Sequence, residues 1–433
     1  MKAIMRDERE MKDSGIEWIG KIPIHWSYKK IKHIASLYTG NSISDSDKDN
    51  YSDPIDAHPY IATKHINADN NSVDYENGLY VKDSDIGFKV ATPNSTLMCI
   101  EGGSAGRKKA FIRQTVSFVN KLCCFKAKGT TLDKYIYYFL MSPNYEEKFK
   151  TLITGLIGGV SVSELKNIPS LAPPHDEQQL IANYLDDRCS KIDTIIAEAK
   201  ASIEEYKELK QAVIYEAVTK GLDKNVEMKD SGIEWIGKTP LDWQIIRVKH
   251  LLTEVNNRSV QGLEEPLSVS QVLGIVPSSE ISVANPTSSY IGQKVVEQHD
   301  MVFNRLKAHL GVFFESNYKG LVSPDYAVFR GNKRINPKFL EYLFHTPAAI
   351  TEFKKYITGV GDGLRRLYTD DLFNISVSIP SIEIQNEIIS TLNLKVQKID
   401  VLVSEKQSLI EDLESYKKSL IYEVVTGKRK VVA

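Results

Sequence analysis

Residues 191–219 read KIDTIIAEAKASIEEYKELKQAVIYEAVT, and residues 398–426 read KIDVLVSEKQSLIEDLESYKKSLIYEVVT. The two segments share KID at the start and IYE-x-VT at the end. A long internal repeat has to be read before anything else, because it sets the architecture. Through Leu185, Cys189, Ile192, Ile196, Ala199, Ile203, Tyr206, Lys210, Val213 and Ala217 the spacing alternates four and three without a break. The second copy gives Leu392, Val396, Ile399, Val403, Lys406, Ile410, Leu413, Lys417, Leu420 and Val424. A seam of this period over more than four heptads, with charge on the outer positions, predicts a coiled-coil helix. Each helix, roughly 177–220 and 384–426, would be about 60–65 Å long at ~1.5 Å per residue. Pro173-Pro174 and Pro380 stand just before the starts, and Gly221 and Gly427 just after the ends, the usual punctuation of a helix. Two such helices in one chain bury their seams most simply on each other. Lys210 and Lys417 place a cation at the same seam position of both copies. A polar seam residue can fix register; alternatively, Leu209 and Tyr416 swing in beside the lysines.

The repeat extends outward from these helices. MKDSGIEWIGKIPIHW (11–26) returns as MKDSGIEWIGKTPLDW (228–243), and Lys32-His33 as Lys249-His250. KYIYYFLMSP (134–143) answers KFLEYLFHTP (338–347), and Ile153-Thr154-Gly155 answers Ile357-Thr358-Gly359. The chain is therefore a tandem duplication of box, variable region and helix. The aligned offset falls from 217 at the boxes to 207 at the helices, so the first variable region is ten residues longer. Within the box, Ser14 and Glu17, repeated as Ser231 and Glu234, fit a capping-box pattern that predicts a helix start. Trp18, Ile19, Pro23 and Trp26 form an apolar cluster too short for a domain. Trp18, Trp26, Trp235 and Trp243 are read as anchors seating each variable region against a helix; alternatively they face a partner protein, since tryptophan is enriched at interface anchors. Both variable regions are mixed α/β. Strand-like runs are TLMCI (96–100) and SFVNKLCCFKA (117–127) in the first, MVFN (301–304) and YAVFRG (326–331) in the second. Helical patterns follow at 132–150 and 337–356, and 41–58 reads as loop.

At 433 residues the chain is long enough for two or three domains. Its composition, 42% hydrophobic and 26% charged, is that of a globular protein, with no apolar run near the ~18 residues of a membrane span. The N-terminal MKAIMRDERE has no apolar core of a signal peptide. Cys99, Cys123, Cys124 and Cys189 form neither a C-x-x-C pair nor a disulfide framework. A reduced, cytoplasmic protein without membrane association is expected. The net charge of −1 does not advertise a nucleic-acid partner, but the electrostatic footprint can be a local stripe.

Catalytic signatures are missing. EGGSAGRKK (101–109) lacks the Lys-Ser/Thr pair of a phosphate-binding P-loop, and no His/Cys cluster has zinc spacing. Neither a glycine-rich cofactor loop nor an Asn/Asp-Pro-Pro-aromatic motif of a base methyltransferase occurs. Pro324-Asp325 and Glu352-x-Lys354 mimic a PD…ExK nuclease pattern, but EFKK (352–355) lies in a helical stretch and the first half has no counterpart. Basic residues are more telling. Residues 101–128 hold Arg107, Lys108, Lys109, Arg113, Lys121, Lys126 and Lys128 against Glu101 alone. The second half offers NRLKAHLG (304–311), with Arg305, Lys307 and His309 before a glycine that aligns with Gly106, and GDGLRRLY (361–368), with Arg365 and Arg366. Such side chains in glycine-containing loops can reach phosphates and donate to guanine edges. Lys64-His65 is a weaker candidate.

Box, variable regions and duplicated helices together closely resemble the specificity (S) subunit of type I restriction–modification systems, from Met11 to about Lys428. GGSAGRKKAF (102–111), NRLKAHLGVF (304–313) and GDGLRRLY look like the loops of its target-recognition domains. The resemblance implies two α/β (α+β) target-recognition domains in tandem, separated by two long α-helices forming an antiparallel coiled coil, with pseudo-twofold internal duplication. It divides the chain into an N-terminal box segment (1–26), a first recognition domain (27–172), a central helix (173–222), a second box (223–243), a second recognition domain (244–380), a C-terminal helix (381–427) and a basic tail (428–433). It implies a non-catalytic subunit that reads a bipartite, asymmetric site in double-stranded DNA, the helices setting the spacer. Two methyltransferase (M) subunits using S-adenosylmethionine for adenine-N6 methylation would dock on it. Restriction (R) subunits, with ATP and Mg2+, would add translocation and cleavage. No cofactor is implied for this chain itself. The rival reading is a coiled-coil protein scaffold without sequence-specific DNA binding.

Overall fold

The computed structural model describes residues 1–155, 158–281, 289–357 and 366–432. Its longest elements are helices His175–Lys220 and Ile382–Val425, each starting two residues earlier than the seam alone indicates. The seam positions Leu185, Ile192, Ile196, Ile203, Leu392, Ile399 and Ile410 are buried, and Tyr206, Val403 and Leu413 half-buried. The chain resolves into two compact units, one of Met1–Lys200 with Gln407–Ala433, the other of Ala201–Lys406. Each long helix is thus shared between units rather than standing as a segment of its own.

Both units use one strand plan. In the first, an antiparallel sheet runs in the order Lys109–Phe111, Thr96–Cys99, Leu122–Ala127, Ala35–Thr39. A second sheet has the order Leu79–Lys82, Ala57–Ile61, Val116–Phe118, Val90–Ala91, with Ala57–Ile61 and Val116–Phe118 parallel. In the second unit the first sheet returns as Phe313–Glu315, Met301–Phe303, Ala327–Gly331, Leu252–Val255. Its second layer returns as two ribbons, Leu267–Ser270 with Gly274–Pro277 and Lys294–Val296 with Gly320–Val322, joined by a parallel bridge from Pro266 to Leu321.

Alternation along the strands explains why this sheet is covered on both faces. Met301, Phe303, Ala327 and Phe329 point into a core shared with helical residues such as Phe339, Phe344, Leu392 and Val218. Val302 and Val328, one residue out of step, point into a separate core with Leu267, Val296 and Val322. Successive side chains of a strand take opposite faces, so an apolar residue at every position gives two cores. The stretches 132–150 and 337–356 each form two helices, not one: Asp133–Met141 with Pro143–Lys150, and Pro337–Phe344 with Pro347–Tyr356. Pro143 and Pro347 lack the N–H that would continue the first helix, and each starts the second.

The box is a β-hairpin, which overturns the expected helix start. Met11–Asp13 pairs with Lys21–Pro23, and Met228–Asp230 with Lys238–Pro240. The Ser14 N–H is spent on Gly20 O at 3.1 Å, so Glu17 has no cap donor to accept from. Ser14 Oγ instead accepts from Ile16 N at 3.1 Å, and Asp13 Oδ1 from Gly15 N at 2.9 Å. Ser231 and Asp230 repeat both bonds, side-chain turn chemistry that competes with helix formation.

The long helices run antiparallel inside each unit. In the first, Lys417 Nζ donates to both carboxylate oxygens of Asp193 at 2.6 and 2.8 Å. In the second, Lys210 Nζ does the same to Asp400 at 2.7 and 2.9 Å. These are equivalent pairs of the duplication, each seam lysine meeting the aspartate of a KID. Leu209 and Tyr416 are 49% and 50% exposed, so they do not swing in. Buried Gln178 and Gln385 form a second equivalent pair. Gln178 accepts from Leu132 N and donates to Pro173 O; Gln385 accepts from Asn336 N and donates to Pro380 O. Each ties a long helix to the helix pair of its own unit. The C-terminal residues are not a free basic tail: Arg429–Val432 pairs antiparallel with Lys2–Met5, and Arg429 meets Glu423.

Candidate nucleic-acid interface

The basic loop of the first unit leaves strand Thr96–Cys99 and re-enters the sheet at Lys109–Phe111. Gly106 N donates to Cys99 O at 2.8 Å with φ +73°, and a Cβ there would lie 2.6 Å from the Phe149 ring. Only glycine fits that backbone and that approach. Gly311 closes the matching loop of the second unit with φ +69°, against Ile350 and His345. The sequence alignment of these two glycines is thus an equivalence of backbone shape and of packing against the second helix of the pair.

The side chains around these glycines divide sharply. Arg107 and Arg113 are exposed, as is Lys64. Lys108 is half-buried and its Nζ donates to Thr63 O at 2.8 Å. Lys109, expected to contact DNA, points inward at 1% exposure and meets Glu146 at 2.5 Å. Burial pushes its pKa down while Glu146 opposes that shift. A lysine held this way anchors the loop and is not available to a phosphate. His65 is likewise removed from the candidate contacts: it is 7% exposed, Nδ1 accepts from Ala62 N at 3.1 Å, and Nε2 has no partner among the described residues. Arg107 shares a cleft with residues 67–71 and with Lys200, Lys417 and Lys418 of the long helices; Asp69, Glu146, Asp193 and Glu414 also line it.

In the second unit the segment expected as a loop is a 3₁₀ helix, Arg305–Leu310, capped by Asn304 Oδ1 accepting from Leu306 N and Lys307 N. Lys307 and His309 are exposed and form no ion pair among the described residues. Arg305 is half-buried and donates to Glu254 at 2.7 Å and Thr369 Oγ1 at 3.1 Å, while Thr369 donates to Glu254 at 2.7 Å. Lys294 lies 3.8 Å from the same carboxylate. Arg305 therefore holds the loop to the sheet. Leu367 N donates to Arg305 O at 3.2 Å, bringing half-buried Arg366 beside it. Arg365, with Thr358 and Gly359, lies outside the described residues. Sequence reasoning missed Glu254 and Thr369, which sit far away in the chain and carry no motif.

Two of the four tryptophans are buried. Trp26 is 1% exposed, and its indole N–H donates to Glu177 at 3.1 Å, at the start of the first long helix. Arg6 and His25 meet the same carboxylate. Trp243, also buried, packs edge-on against Phe339 at 6.2 Å and lies against Gly221. Trp18 and Trp235 are half-buried, and Trp18 O accepts from Asn144. Among the described residues no helix is long and apolar enough to cross a membrane, and no group of three or more His, Cys, Asp or Glu could hold a metal. The four cysteines are free and buried.

Two units of one design, each offering a differently charged loop beside a long helix pair, define the class: an internally duplicated protein that presents two variants of one surface. A family model, the type I restriction modification DNA specificity domain, matches residues 23–205. A putative type I restriction enzyme MjaX specificity subunit of Methanocaldococcus jannaschii is 23% identical across 95% of this chain and 96% of its own. The type I restriction enzyme EcoKI specificity subunit of Escherichia coli K12 is 21% identical across 94% and 90%. Among solved structures, a chain from a study of complex assembly in the type I R-M system has a TM-score of 0.70 at 12% identity, covering 94% of this chain and 99% of that one. The HsdS subunit from Thermoanaerobacter tengcongensis has a TM-score of 0.53 at 14% identity, covering 94% and 98%. Over nine-tenths or more of its length the chain is thus similar to specificity subunits of type I restriction enzymes, and a model of their DNA specificity domain matches its first unit.

Proposed function

We propose that each unit reads one half of a bipartite, asymmetric site in double-stranded DNA, through the exposed cations of 101–113 in one and 305–311 in the other. The observation that carries this reading is the shared strand plan with unlike loops at the same place. One frame keeps the reading pose, and differing side chains read different bases. Lys64, Arg107, Arg113, Lys307 and His309 are the exposed basic residues of this surface with no ion pair among the described residues, Arg366 stands at its edge, and Arg305 and Lys108 position the loops. Half-sites about one helical turn apart, ~34 Å, suit a duplicated reader. The antiparallel helices set the spacer and dock two M subunits, which methylate adenine N6 with S-adenosylmethionine; R subunits add ATP- and Mg2+-dependent translocation and cleavage in the cytoplasm. A scaffold that binds only proteins leaves the exposed basic residues in the matching loops of both units without a purpose.

The test is genome-wide mapping of N6-methyladenine with and without this chain, in a host supplying the partner subunits. Loss of a single two-part motif is the expected result. An unchanged methylome would sink the reading.

A further inference from the structure

The ribbon Leu267–Ser270 with Gly274–Pro277 in the second unit turns through Gln271-Val272-Leu273. Val272 is 89% exposed and Leu273 59% exposed. Two adjacent aliphatic side chains on a hairpin tip leave apolar surface in water, and their covering by an occupant would be favourable. The tip is not a stray loop. Ser270 Oγ accepts from Val272 N and Leu273 N, both at 3.2 Å, which fixes the turn. Gln271 Nε2 donates to Leu310 O at 3.2 Å, and Gly274 lies against Phe314. The tip is thereby held beside the end of the Arg305–Leu310 helix, where Lys307 and His309 are exposed and Leu310 is 42% exposed.

The apolar tip and the exposed Lys307 and His309 together point to one occupant. The occupant must meet aliphatic side chains and offer acceptors to Lys307 and His309 at once, and duplex DNA presents both chemistries within one groove. Its backbone takes the lysine and histidine, and the major groove admits a two-stranded β-ribbon and displays the thymine C5-methyl as an apolar feature. We propose that Val272 and Leu273 form a second base-reading element of this unit, contacting thymine methyl groups in the major groove while Lys307 and His309 hold the adjacent backbone. The proposal rests on the reading of the chain as a DNA-specificity subunit.

The experiment uses the chain assembled with its methyltransferase subunits and a duplex carrying its mapped methylation motif. The half-site belonging to this unit is the one whose sugar–phosphate backbone loses hydroxyl-radical protection in K307A/H309A. Each thymine of that half-site is replaced in turn by deoxyuridine, which removes only the methyl group. The expected loss is about fourfold at one or more positions, equivalent to ~0.8 kcal/mol for one methyl-sized group. V272S/L273S, changed at exposed positions that bear no core, should bind the thymine duplex more weakly and lose all sensitivity to deoxyuridine. If V272S/L273S keeps the wild-type affinity and deoxyuridine profile while K307A weakens binding, the tip proposal is overturned and the DNA reading stands. If the complex prefers no sequence at all, both are overturned.

Discussion

The two units share a strand plan and part company at one hairpin. In the first, Ala57–Ile61 and Leu79–Lys82 are joined by residues 62–78, with Lys64 exposed and an Asn-rich turn at 67–71 in which Asn67 Oδ1 accepts from Asp69 N at 2.8 Å. In the second, the equivalent strands are joined by residues 271–273 alone, with an apolar tip. The position beside the basic loop is kept, and its chemistry is changed from amide and carboxylate to aliphatic. The lesson is a division of labour. Sheet order, glycine pivots and helix pairing carry the pose; connection length and tip chemistry carry the difference between half-sites.

The comparison can be broken hardest at the glycine pivots. Gly106→Ala puts a Cβ 2.6 Å from Phe149 at φ +73°, and left-handed backbone plus overpacking should cost about 2–5 kcal/mol. Gly311→Ala meets Ile350 at 3.2 Å and His345 at 3.3 Å, the nearest atom being the end of a flexible side chain, so about 1–2 kcal/mol is expected. Calorimetric unfolding of the two variants checks the order; equal losses would show that the pivots are equivalent in packing as well as in backbone. Next come the two arginines. Arg305→Ala strips Glu254 and Thr369 of a shared donor and should lower stability by about 1.5–3 kcal/mol as well as weaken DNA binding. Arg107→Ala, at an exposed position, should leave the melting curve unmoved and cost about 1–3 kcal/mol of binding with relaxation at one base position. Denaturation and filter binding on the same preparations separate the two behaviours.

A smaller effect concerns buried imidazoles. Burial pushes the pKa of His65 and of His345 below the ordinary 6.5, and His345 Nε2–H donates to Gly311 O at 2.7 Å. In the folded chain each ring stays neutral where the unfolded chain would take up a proton. The unfolded state therefore binds more protons once pH falls below about 6.5, and stability rises with pH through that window and is lost as pH drops. His345→Gln, which keeps an amide N–H for Gly311 O, should flatten the acid limb of the stability curve. A limb unchanged by both H345Q and H65Q would place the acid sensitivity elsewhere.

Much of this was legible in the sequence because it was duplicated. The four–three seam located both long helices, and the alignment of Gly106 with Gly311 located both basic loops. What stayed hidden depends on partners distant in the chain. Lys109 looks like one more cation among 107–109 until Glu146 takes it inside, and Arg305 looks like a reader until Glu254 and Thr369 hold it. Ser14 and Glu17 match a capping box only while the hairpin that spends the Ser14 N–H on Gly20 is unseen. The exposed Val272-Leu273 tip has no signature at all, since two aliphatic residues in a sequence read first as core.

The finest comparison lies at the seam lysines, whose environments are matched but not identical. Lys417 and Asp193 are 15% and 42% exposed in the first unit, Lys210 and Asp400 29% and 54% in the second. Partly solvated ion pairs are worth little, about 0.2–1 kcal/mol, so neither pair holds the helices together. Their role is register. A one-turn slip would leave each lysine beside apolar seam residues, and a polar seam residue penalises that misalignment more than it rewards the native one. Lys417→Met and Lys210→Met should therefore shift stability by no more than ~1 kcal/mol, with the larger change at the less exposed Lys417. The double variant should melt less cooperatively, because a slipped pairing becomes accessible. Disulfide trapping between cysteines placed one turn out of native register within a single unit would report that slippage. Absence of trapping in K417M/K210M would show that the apolar seam sets the register without its lysines.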